Sequence, residues 1–254
     1  MSDSKKPKQS IATLLRAPHI ITTLTIWSYV MVLAFAYTAI LPVFYFTPVS
    51  LGGYGLSPVQ ISLFMGVGGL SQSLWLLIAF PWLQKRIGTR GVMTSCGVAY
   101  PFFFAVLPLS NILLRYGHTT LFWTFAPILI VLGSGVAMSF TAIQLVINDV
   151  SPSPDVLGTL NAIALTLSSG LRAFSPGLFA SLFATSVRSG ILGGHLIWIL
   201  MVAIAGGYTV VSQRTPVVEA RAPKASKKNR RRNRERSNGD RRDPSEEEGL
   251  IAST

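Results

Sequence analysis

Six apolar runs, each long enough to cross a bilayer as a helix, dominate the sequence and leave few folds open to it. A bilayer core asks for about 20 consecutive, mostly apolar helical residues. The runs cover approximately 19–45, 59–83, 90–110, 120–147, 156–185 and 192–212. Between residues 17 and 212 the only basic residues are Lys85, Arg86, Arg90, Arg115, Arg172 and Arg188, and the only acids are Asp149 and Asp155. A water-soluble fold of this size needs far more surface charge than that. The first run is not a cleaved signal peptide, because it is too long, lacks a small-residue cleavage site and is followed by five more runs. The single cysteine, Cys96, excludes an internal disulfide.

The expected architecture is therefore an all-α membrane protein: a six-helix transmembrane bundle over 18–212, a polar, basic N-terminal segment over 1–17 and a basic, disordered tail over 213–254. Pro18 and Pro58 suit first-turn positions, and Ser57 and Asp155 suit helix caps. The stretch LGGYGLSP reads as a plain loop. An even number of spans puts both termini on one side. Lys5, Lys6, Lys8, Arg16, Lys85, Arg86, Arg90 and the tail share that side, against Arg115 and Arg188 opposite, so both termini are expected in the cytoplasm.

The tail core KASKKNRRRNRERSNGDRRDPSEEEG has too little apolar surface to fold alone. A nucleic-acid reading of its basic run competes with a membrane one, and six spans favour the membrane: a flank that attracts anionic lipid of the cytoplasmic leaflet, with no nucleic-acid partner. Ser245, followed by three glutamates, is a phosphorylation candidate that would lower the local positive charge.

The interior shows no metal-ligand spacing, no phosphate loop and no nucleophile elbow, so neither an enzyme nor a metal or other cofactor is expected. His19, His118 and His195 fall at span ends, where an interfacial ring is the simpler account. What the interior does hold is polar residues in rows. Ser134, Thr141, Gln144 and Asn148 are spaced for one helical face, as are Asn161, Ser168, Arg172 and Ser175. Thr22, Thr25, Tyr29 and Thr38 form a looser row in the first span. Such faces turn away from lipid, either to line a solute path or to bond neighbouring helices. Gly66, Gly68, Gly69, Gly133 and Gly135 suit close helix packing.

The stretch INDVSPSPDVLGTLNAIALTLSSGLRAFSPGLFASLFATS resembles the tenth and eleventh helices of fungal major facilitator superfamily transporters, in the branch of drug:proton antiporters and zinc-induced-facilitator-like proteins. LPVFYFTPVSLGGYGLSP resembles the end of their seventh helix and the loop after it. LQKRIGTR is similar to the second copy of the family's loop motif, with Arg86, Gly88 and Arg90 at matched positions and Lys85 where the first copy has an acid. The resemblance covers about 18–212 and is to the C-terminal six-helix half only. It implies an integral, multi-pass protein of the plasma or vacuolar membrane that exports small organic solutes in a proton-coupled cycle. The partners it implies are the lipid bilayer, a small organic solute, and either the missing N-terminal half or a homodimer partner.

Within that frame the solute-path candidates are Arg172, Asn161, Ser168, Gln144, Asn148, Thr141 and Tyr29. A central arginine costs about 2.5 to 3.5 kcal/mol on insertion scales, so Arg172 needs a partner. Pro176 has no N–H and frees the backbone carbonyl of residue 172, so a local break is expected there. Two readings of Arg172 stand: bonds to carbonyls and amide side chains of neighbouring helices, or a place facing the central cavity, where it meets an anionic substrate group or an acid on the missing half. Two readings of the chain stand beside them: a truncated exporter, or a self-standing six-helix protein that dimerises or regulates a complete transporter without transporting.

Overall fold

The structure is a computed structural model that describes residues 18–151 and 154–214. The basic residues before Pro18, the tail with Ser245 and the side chain of Asp155 lie outside the described residues. Among the described residues the chain is all-helical. Its helices are α1 (Pro18–Phe46), α2 (Pro58–Leu74), α3 (Phe80–Arg115), α4 (Thr119–Gly133), α5 (Met138–Val150), α6 (Pro154–Ser189) and α7 (Leu196–Ser212). Three described helical stretches are long and apolar enough to cross a membrane: His19–Phe46, Pro58–Arg115 and Thr119–Val150. Leu196–Ser212 is a shorter apolar helix.

The sequence explains most of the helix ends. Pro58 opens α2 where its missing N–H costs nothing, and Ser57 and Gln60 bond each other's backbone in a reciprocal cap. Asp155 lies inside α6 rather than capping it, since the helix already begins at Pro154. α2 passes through a π-turn, Trp75–Ala79, into the first part of α3, and the helical path breaks at Gly88, whose φ of 72° only glycine adopts easily. Beyond Gly88 the chain returns to the end where α2 began, because Arg115 at the end of α3 lies against Val49 and Ser50. α6 runs unbroken through Pro176, so the expected break there does not occur.

A 3-10 turn, Ser134–Ala137, separates α4 from α5. It removes the first row of polar residues as a continuous face. The spacing from Ser134 to Thr141 assumes 3.6 residues per turn throughout, and a tighter turn shifts Ser134 out of register. Ser134 instead donates to Ser71 Oγ at 2.9 Å, while Ser71 and Trp75 Nε1 donate to the carbonyl of Val131 at 3.0 and 2.7 Å. The π-turn of α2 and the 3-10 turn are thereby joined at one depth. Gly135 lets the Trp75 ring approach, and a Cβ on Gly133 would overlap the Phe103 ring. Gly68 touches Ile130, whereas Gly66 and Gly69 face open space.

The core lies between α1, α3 and α7, where Phe44, Phe104, Trp198 and Tyr208 are fully buried. In lipid such packing is held by dispersion and interhelical hydrogen bonds more than by a hydrophobic driving force. Thr209 donating to the carbonyl of Gly97 and Tyr100 bonded to Ser139 are two such bonds. The LGGYGLSP loop is no plain loop. Tyr54 and Leu56 are buried, Tyr54 stacks on Tyr45 and donates to Leu107, and Asn111 donates to the carbonyls of Val49 and Gly53.

Candidate functional site

Three helices, α1, α5 and α6, meet through the side chains of Trp27, Gln144, Asn161 and Ser168. Along α6 the residues facing α1 recur at helical spacing, and Trp27 of α1 reaches between them. Its indole Nε1–H donates to Ser168 Oγ at 2.8 Å and the carbonyl of Ala164 at 3.1 Å. Gln144 of α5 donates through Nε2 to Asn161 Oδ1 of α6 at 3.3 Å, joining the two polar rows. Phe140 of α5 packs on Trp27 with ring centroids 5.7 Å apart. An amide pair and an aromatic pair therefore occupy successive levels of one three-helix face.

Arg172 is at the next level. Its side chain is exposed, and its guanidinium carbon lies 5.5 Å from the centroid of the Phe35 ring of α1. Among the described residues that ring is its only polar or π contact, with no ion pair and no hydrogen bond to a carbonyl or amide. Of the two readings of Arg172, the one with bonds to neighbouring helices gives way to a cation–π contact, and its N–H donors make no hydrogen bond among the described residues. Asp149, in the last turn of α5, is exposed and does not approach it.

The remaining candidates separate. Thr141 is half-buried and Asn148 exposed on α5. Ser175 is buried against the bundle. Tyr29 does not join the group: it packs on Gly207 of α7. Two residues turn a helix by about 200°, so Tyr29 points away from the side on which Trp27 meets α6. Trp27, Phe35 and Phe140 escaped the polar pattern because they are aromatic. The eight-residue spacing of Trp27 and Phe35 on one face was the available signal.

At the Gly88 end, Arg86 lies over the Trp82 ring at 4.7 Å and Arg90 donates to the carbonyl of Gln213 at 2.8 Å, tying α3 to the end of α7. Arg115, at the opposite end, donates to the carbonyls of Val49, Ser50 and Gly193, clamping two loops to α3. His195, in the loop before α7, donates from Nδ1 to the carbonyl of Leu192 at 2.8 Å. Burial and the neighbouring Arg115 hold its imidazole below the usual value, partly offset by that bond. Among the described residues no group of His, Cys, Asp and Glu is placed to hold a metal ion.

No family model matches the chain, and no solved structure matches it significantly. Curated proteins do. Efflux pump azaK of Aspergillus niger is 41% identical over 209 residues, which is 82% of this chain and 44% of that protein. Major facilitator-type transporter psiT2 of Psilocybe cubensis is 29% identical over 211 residues, 79% of this chain and 40% of that protein. Its namesake in Psilocybe cyanescens is 28% identical over 214 residues, 80% of this chain and 40% of that protein. The chain spans less than half the length of these relatives, whose names are those of transporters and not of enzymes. The chain is an integral, multi-pass membrane protein similar over most of its length to fungal major facilitator-type transporters.

Proposed function

We propose that this chain is the C-terminal half of a major facilitator transporter of the drug:proton antiporter or zinc-induced-facilitator-like branch, crossing the membrane six times with both ends in the cytoplasm. It exports small organic solutes in a proton-coupled cycle, as this half rocks against a second half that completes the cavity. The second half comes from the same longer protein or from a second copy. The relatives, more than twice as long as the stretch they share with this chain, support a second half. The separation of Lys85, Arg86 and Arg90 from Arg115 at opposite ends of the bundle supports the orientation.

The observation that carries the reading is the α1–α5–α6 face, where Gln144, Asn161 and Ser168 meet one another or Trp27 and an unpaired Arg172 stands open at mid-helix. Polar groups at that depth need a function or a partner. Host membranes blotted with an antibody to KKNRRRNRERSNGD should give a band near twice the 27.5 kDa of this chain. The same cells should show protonophore-sensitive efflux of fluorescent organic solutes, reduced by Asn161→Leu at equal protein level. No difference in efflux between expressing and non-expressing cells, for any solute of the panel, overturns the transport reading.

A further inference from the structure

We infer that Arg172 and Phe35 form the anion-recognition end of an elongated solute site, so that the solute is an organic anion with a planar aromatic body. The inference rests on the transport reading and gives its site a substrate class. Three features of the face carry it.

The first is the state of the guanidinium. Arg172 lies midway along Pro154–Ser189, roughly 25 Å of helix from either end. It is exposed, with its guanidinium carbon over Phe35 and its N–H donors unused among the described residues. A fork of parallel N–H donors matches the two oxygens of a carboxylate, and the Phe35 ring beside it restrains where the guanidinium sits.

The second is the absence of a counter-charge at that depth among the described residues. Asp149 stands in the last turn of α5, and Asp155, in the first turn of α6, is roughly 25 Å of helix away. The counter-charge must arrive from outside this set.

The third is what lies next to Arg172 on the same face. Trp27 and Phe140 form an aromatic pair one level along, and the Gln144–Asn161 amide pair follows, Asn161 being roughly 16 Å of helix from Arg172. Trp27 is buried and its indole N–H is engaged by Ser168 and Ala164, so the exposed Phe140 ring packed on it, not Trp27 itself, is the aromatic surface this level offers. Gln144 Oε1 and Asn161 Nδ2 are the amide atoms outside the pair's own bond, an acceptor and a donor for a neutral polar head. Carboxylate or enolate at one end, flat aromatic body in the middle and neutral polar group at the other is the chemistry that fits this order.

The test uses the whole chain in lipid nanodiscs, labelled with ¹⁵N-arginine, and follows the Arg172 Nε–H signal, assigned by its loss in Arg172→Gln. Titration with 2-naphthoate should shift that signal saturably, while the neutral isostere 2-naphthylmethanol should not. Phe35→Leu should weaken the apparent naphthoate affinity about threefold or more. An Arg172 signal that naphthoate leaves unmoved, or that naphthylmethanol moves equally, overturns the inference. An unmoved signal would leave a carboxylate of the remaining chain or of a second copy as the partner. A flat signal with intact efflux removes the anion site alone, whereas a saturable shift without efflux removes the transport reading and keeps the site.

Discussion

The guanidinium of Arg172 rests 5.5 Å from the centre of the Phe35 ring, which makes α1 and α6 partners through a cation–π contact at mid-bundle. Such a contact contributes about 0.5 to 1 kcal/mol when exposed and about 2 when desolvated. A double-mutant cycle with Phe35→Leu and Arg172→Met, read by unfolding in bicelles, should give a coupling of about 1 kcal/mol. Additive effects of the two substitutions would mean that the contact carries no energy of its own.

Gly133 and Phe103 occupy one volume, since a Cβ on the glycine would enter the ring. Gly133→Ala should destabilise the bundle by about 1 to 3 kcal/mol through overpacking. Adding Phe103→Leu should recover at least half of that loss, because the smaller side chain vacates the space. Folded yield by size-exclusion chromatography in mild detergent reads both, and equal loss in the single and double variants would refute the steric account.

How far the sequence discloses this molecule depends on the kind of signal. Apolar runs and the Ser57–Pro58 start disclose the helices, because length, hydropathy and capping act locally. The Asn161 row was legible for the same reason, since α6 keeps its 3.6-residue period past Pro176. The Ser134 row was not, because the 3-10 turn at Ser134–Ala137 changes the period within the row and is fixed by tertiary contacts with Ser71 and Trp75. Tyr29 misled because a loose row on a long helix wraps round to two neighbours, α6 and α7. The cation–π seat of Arg172 lay outside any polar pattern, as its partner is a phenyl ring. Nor did LGGYGLSP reveal that Asn111, more than fifty residues on, donates to the carbonyl of its Gly53.

Arg115 spends its guanidinium on three backbone carbonyls from two loops, those of Val49, Ser50 and Gly193. Arg115→Ala leaves the carbonyls of Ser50 and Gly193 to water and loosens both loops at the end of α3, while Val49 keeps its bond from Asn111. Deuterium exchange over residues 48–56 and 190–196 should accelerate at least tenfold, while α3 and α7 interiors stay protected. Arg115→Lys should rescue little, because a single ammonium lacks the planar fork that spans the three oxygens. Unchanged exchange in both loops would show that the clamp is dispensable.

His195 makes the same loop pair sensitive to acid. Its ring is half-buried beside Arg115, so burial and like charge both oppose protonation, and its Nδ1–H holds the carbonyl of Leu192, a non-glycine residue at φ 52°. The folded imidazole therefore titrates below the ordinary value of about 6.5 that it has in an unfolded loop. In the window between the two values the unfolded loop binds more protons, so folding is favoured above about pH 6.5 and loses that contribution as pH falls through the window. Protection factors for residues 190–196 should accordingly drop between pH 7 and pH 5, after correction for intrinsic exchange, and His195→Gln should flatten the dependence. Protection that rises on acidification would reverse the sign of the argument and remove Arg115 as the repelling charge.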